Sequence, residues 1–241
     1  MKLFTIFFSA TLLCATFSAA AQSHKATKAE VEYQNKAITT IFNALPKNYK
    51  GWDRDLPIGD GDDNKIELDQ TITNCKGDEC YEGVEIIAVY SGERTQEAAA
   101  LSKQKDAAQG DQKDALGFKL HNMFSISVRF MTNTTTDLVN YEFCPNGGFQ
   151  NLPPPPGWDA YSFATLNPCK KDSQRDLGDY SFFSIGPKPK FVNGHNEFPL
   201  NPALIGAHKT QNIVLVLEGS KESALEFVKN VDVAKLRSLL N

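Results

Sequence analysis

Ile213 to Leu217 reads Ile-Val-Leu-Val-Leu, an unbroken apolar run that constrains the fold more than any other stretch. A run of this length is expected to be a central β-strand with protein on both of its faces. Further strands follow from alternation. Phe124, Ile126, Val128 and Phe130 alternate with Ser125, Ser127, Arg129 and Met131, the pattern of a half-buried strand. Leu138 to Cys144 is its expected partner, reached through Thr132 to Asp137. Ile66 to Ile72 and Val84 to Tyr90 predict a hairpin with a long tip, and Asp179 to Ile185 a further strand.

Helical signals lie at the two ends and once between. Thr27-Lys28-Ala29-Glu30 is a capping-box pattern, and Val31, Ala37, Ile38, Ile41, Phe42 and Leu45 then give an apolar stripe at helical spacing. Pro46 ends that helix. Thr95 to Ala108 is rich in Ala, Gln and Lys, with Leu101 its single large apolar residue, so a surface helix is expected. Ala224, Leu225, Phe227, Val228, Val231, Leu236, Leu239 and Leu240 form the apolar face of a helical tail, in which Asp232 caps a last short helix after a break near Asn230. Residues 47–64, 145–176 and 187–202 read as loops rich in acids, glycines or prolines. The predicted fold class is α+β: an antiparallel sheet flanked by N- and C-terminal helices, with long disulfide-pinned loops, in one domain over residues 22–241.

The first residues have another purpose. Lys2 supplies a short positive region, Leu3 to Phe17 an apolar one, and Ala19-Ala20-Ala21 the small residues of a cleavage site, so Met1 to Ala21 reads as a secretory signal peptide. The apolar run is shorter than the roughly 20 residues that a membrane-spanning helix needs. Lipid attachment at Cys14 is disfavoured by the bulky Leu12 and Leu13 before it. Removing Lys2 leaves 24 basic against 29 acidic side chains, a net charge of −5. Mild acidity without basic clusters argues against nucleic acid as a partner, and no second run is long enough to predict a transmembrane segment after cleavage. The expected location is periplasmic or secreted.

Loss of Cys14 leaves Cys75, Cys80, Cys144 and Cys169. An even number in an oxidising compartment predicts two disulfides, and proximity favours Cys75–Cys80 and Cys144–Cys169 among the three pairings. The first would pin the turn Lys76-Gly77-Asp78-Glu79. The second would close a loop of about 26 residues and stabilise by roughly 3–4 kcal/mol. A zinc site fits poorly, because the spacing is CxxxxC and no histidine is near either pair.

Two features invite a functional reading. Asp60-Gly61-Asp62-Asp63-Asn64 sets oxygen side chains at alternate positions, and Asp60, Asp62 and Asn64 match the first ligands of a calcium loop. The match then fails at Lys65 and Thr71, where a turn glycine and a bidentate Glu belong. A solvated turn is the plainer reading, and no cofactor other than calcium is suggested. The second feature is Gly-Trp-Asp, which occurs at 51–53 and again at 157–159, with Tyr161 and Phe163 after the second copy. Trp52, Trp158 and Tyr161 could stack on a carbohydrate or anchor a partner protein; alternatively both indoles plug core edges and pin their loops.

Catalytic motifs are scarce. GxSxG, HExxH, a phosphate loop and CxxC are all missing from the sequence. Ser102 to Lys105 matches SxxK on a polar helix where nothing would depress the lysine pKa. His24, His121, His195 and His208 are scattered, with His195 in the most polar setting. Asn133-Thr134-Thr135 fits the N-glycosylation pattern just past a strand. The expectation is an exported, non-enzymatic binding or interaction protein of the cell envelope, with a protein or carbohydrate ligand taken by the long loops. The alternative is a secreted hydrolase acting on polysaccharide or envelope material through paired carboxylates.

Overall fold

The computed structural model describes residues 27–55, 74–76, 79–81, 83–92, 95–136, 148–165, 179–192, 195–204 and 206–240. The expected signal peptide Met1 to Ala21, Asp60, Asp62, Asn64, Cys144, Cys169 and the expected strands Ile66 to Ile72 and Leu138 to Cys144 lie outside them.

Helix α1 (Lys28–Ala44) starts on the capping box, with Thr27 and Glu30 exchanging side-chain-to-backbone bonds. Tyr33, Ala37, Ile41 and Ala44 line its buried face. The helix stops at Leu45, whose extended backbone suits the residue before Pro46. Next comes a hairpin of β1 (Asn48–Tyr49) and β2 (Trp52–Asp55). Lys50 and Gly51 take φ of 54° and 80°, a two-residue turn with both central residues left-handed, which matches the twist of the flanking strands. The start of the expected acidic loop is therefore ordered strand.

Strands β3 (Asn74–Lys76) and β4 (Glu79–Tyr81) pair by themselves, with Cys75 opposite Cys80 in the backbone register. Strand β5 (Glu85–Ser91) follows, then α2 (Gln96–Ala107), which Thr95 caps. Helix α3 (Asp111–Phe124), which the alternation pattern did not predict, packs on α2 and leads into β6 (Ser125–Thr132). Within residues 145–176, read above as loop, β7 (Gly148–Leu152) and β8 (Ala160–Thr165) form an antiparallel pair. The chain continues through β9 (Asp179–Ile185), the hairpin β10 (Lys190–Val192) and β11 (His195–Glu197), and β12 (Ile213–Glu218). It closes with α4 (Lys221–Phe227), a 3₁₀ turn at Val228–Asn230 and α5 (Val233–Arg237), capped by Asp232.

Six antiparallel strands in the order β5-β6-β12-β9-β8-β7 make the body of the sheet, and β1 and β2 extend it beyond β5. Strand β6 pairs with β5 on one side and β12 on the other, so it has no free edge for the partner expected from Leu138 to Cys144. Strand β12 is central, as its apolar run requires. Ile213, Leu215 and Leu217 enter the main core with α1, α4 and α5. Val214 and Val216 face a second, smaller cluster with Met131, Phe182 and Phe198. The β10–β11 hairpin lies against that second face: Thr136 bridges Glu197, the Phe198 N–H donates to the Thr135 carbonyl, and Asn196 reaches Ser162. Among the described residues, no helix is long and apolar enough to cross a membrane.

Candidate binding cavity

Both tryptophans of the Gly-Trp-Asp repeat are core residues. Trp52 is 9% exposed and packs edge-on to Tyr49, with ring centroids 5.7 Å apart, and beside Phe124. Gly92 is the reason the indole fits, since a Cβ there would lie 2.1 Å from its Nε1. Trp158 is 5% exposed against Phe183, and Tyr161, 3% exposed, stacks on the same ring at 4.5 Å. Burial pushes the Tyr161 hydroxyl above its ordinary pKa, against the lowering effect of Ser181. None of the three rings presents an open face to a sugar or a partner. The core reading of the repeat describes them.

The second copy is also an anchor for the chain around it. Gly157 has φ of 89° and sits where a Cβ would meet Val233 at 3.0 Å. Arg237 on α5 donates to the Gly157 carbonyl and, at 2.7 Å, to Asp159. The other Asp159 oxygen accepts the Gly186 N–H at 2.8 Å. Burial alone would raise the Asp159 pKa. The Arg237 hydrogen bond, helped by the Gly186 N–H, outweighs that and holds it below the usual carboxylate value.

Gly186 opens a cavity. Strand β9 ends at Ile185, still paired with Ile213, and Gly186 then turns with φ of 112°. A Cβ there would come within 2.7 Å of the Gln211 carbonyl, so only glycine lets the two segments pass this closely. Beyond this point the chain diverges and leaves a space of about 480 Å³. Gly186, the buried Thr210 and Gln211 form its inner part, with Pro187, Pro199, Leu204 and Leu240 as apolar lining. Asn201 and Lys209 are its exposed polar residues.

A buried polar network fixes this lining. The Asn133 amide donates to the Lys209 carbonyl and the Tyr33 hydroxyl, and its oxygen accepts the Gln211 N–H at 2.6 Å. Tyr33 also bonds Thr210 Oγ1 at 3.0 Å. The Asn212 side-chain amide clasps the Thr134 backbone, accepting its N–H at 3.1 Å and donating to its carbonyl at 2.8 Å. Further out, the Gln211 side-chain amide clasps the backbone of Asn201, accepting its N–H and donating to its carbonyl. Each buried polar group here has a partner, so the segment 209–211 is rigid. Asn133, which begins the Asn-Thr-Thr triplet, is 2% exposed with its amide engaged twice in this network.

The other predicted site residues are placed as follows. His208, with φ of 51°, precedes Lys209, while His195 begins β11 and His121 lies in α3. Among the described residues, no group of three or more His, Cys, Asp or Glu is placed to hold a metal ion. The calcium candidates Asp60, Asp62 and Asn64 are outside that set. Sequence reasoning missed the cavity because its residues come from segments far apart in the chain. One signal was available, the scarcity of acids around it: from Tyr180 to Leu217, Glu197 is the sole acid, against Lys188, Lys190 and Lys209. No protein family, curated protein or solved structure matches the chain.

Proposed function

We propose that this is an exported, non-enzymatic binding protein of the cell envelope or its surroundings, and that it takes its ligand in the cavity between Gly186 and Lys209–Gln211. The pattern of Met1 to Ala21 supports export, and the even set of four cysteines that remains supports an oxidising compartment. One observation carries the binding reading: an open space of about 480 Å³, one wall of which, Lys209 to Gln211, is held by a buried hydrogen-bond network. Ligand pockets are typically about 300–1,000 Å³, largely apolar and preformed, with a few polar groups that orient the ligand. This one is within that size range, with four apolar residues, Pro187, Pro199, Leu204 and Leu240, beside four polar ones, Asn201, Lys209, Thr210 and Gln211. Rigid walls lower the ordering cost of binding.

The test is a small-molecule screen by NMR on the mature chain and on Leu204→Trp, which fills the cavity. Compounds that perturb resonances of residues 186–211 in the wild type and not in the variant support the reading. A screen in which no compound perturbs them, or in which the filled variant responds equally, overturns it.

A further inference from the structure

We infer that the cavity selects a small amphipathic anion, an apolar body carrying one carboxylate; this inference rests on the binding reading above. The size of the space and its apolar members, Pro187, Pro199, Leu204 and Leu240, set the body. The head is set by charge. Lys209 is the charged residue of the lining, which holds no Asp or Glu. Lys188 follows the lining residue Pro187 directly. Asp159, beside Gly186, accepts from Arg237 and the Gly186 N–H and also feels the Lys188 charge, so Lys209 is the cation left to the cavity. An acidic chain therefore has a local cationic site here. The backbone of Lys209 is fixed by Asn133, so its ammonium hangs from a set point at the edge of an apolar space. A carboxylate beside Lys209 keeps its solvation from one side while its tail leaves water on the other. A cationic head would meet Lys209 in a lining whose residues include no Asp or Glu. A neutral polar head would gain no charge-assisted bond.

Octanoate, octylamine and octanol are suitable probes of the mature protein, titrated at low ionic strength by NMR on residues 186–211. Saturable binding of octanoate, with octylamine silent and octanol several-fold weaker, is expected. Lys209→Met should weaken octanoate by about fivefold, the upper range for a solvent-accessible charge pair, and Lys209→Arg should restore it. Raising the salt from about 0.01 M to about 1 M should weaken octanoate and leave octanol unchanged. Equal binding of octanoate to the wild type and Lys209→Met, or tighter binding of octylamine or octanol, overturns the anion inference and leaves the cavity as a binding site. If none of the three probes perturbs the cavity in the wild type, the inference falls. Failure of the wider screen as well removes the binding reading.

Discussion

At the scale of single residues, the repeated Gly-Trp-Asp triplet shows how one string of letters can serve two structural purposes. In the first copy the glycine completes a hairpin turn and Trp52 fills a space that Gly92 leaves open. Gly92→Ala forces the indole out of place, and overpacking of this kind costs about 1–3 kcal/mol. Thermal unfolding should show the loss, and Trp52 fluorescence should shift to longer wavelength as the ring gains solvent. In the second copy the weight falls on the aspartate. The Asp159 carboxyl titrates lower in the folded chain than in the unfolded one. Its contribution is therefore complete above the unfolded pKa of about 3.9 and is lost as pH falls through the folded value. Arg237 is 40% exposed, so solvent screening keeps the pair to at most about 1 kcal/mol. Asp159→Asn should destabilise the protein by up to that amount at pH 7, and the gap to wild type should close in denaturant melts below about pH 4.

At the scale of elements, the segment 209–211 depends on a side chain from the far end of β6. Asn133 holds φ of 50° and bonds Lys209, Gln211 and Tyr33 at once. Asn133→Ala loses those bonds, strands buried polar groups and keeps an unfavourable backbone conformation. It should cost about 2–4 kcal/mol and raise amide exchange across residues 209–212. Little in the sequence points to this role, because an Asn-Thr-Thr triplet after a strand looks like a surface acceptor until Tyr33 and Thr210 are placed around it. Other elements were legible for definite reasons. The run at 213–217 and the alternation at 124–131 report burial on two faces and on one. Thr27 and Asp232 cap the helices that they were expected to cap. Helix α3 was hidden by Gly117 in its middle and by Phe124, which ends the helix but also begins the alternating pattern. Strand β7 carries few apolar residues, and β8 stands after a proline run that reads as loop. Cys75 of β3 and Cys80 of β4 are opposite in the backbone register. If both predicted disulfides form in the exported chain, reduction should add four hydrogens to its intact mass; a smaller gain would show a free thiol pair.

At the scale of the molecule, the sheet is two blocks joined by one strand. Strands β5 and β6 form one block and β7, β8 and β9 the other, and β12 lies between β6 and β9 with its apolar run in both cores. A chain cut before Ile213 lacks the strand that both blocks require, together with α4 and α5. It should show no cooperative thermal transition, whereas a sharp melt would mean that the blocks stand alone. The joining strand is also the last of the described strands in chain order, which turns a spatial arrangement into a delay. At about 5–20 residues per second, a ribosome needs on the order of ten to forty seconds to reach Ile213. Until then the strand with which both β6 and β9 pair has not been made.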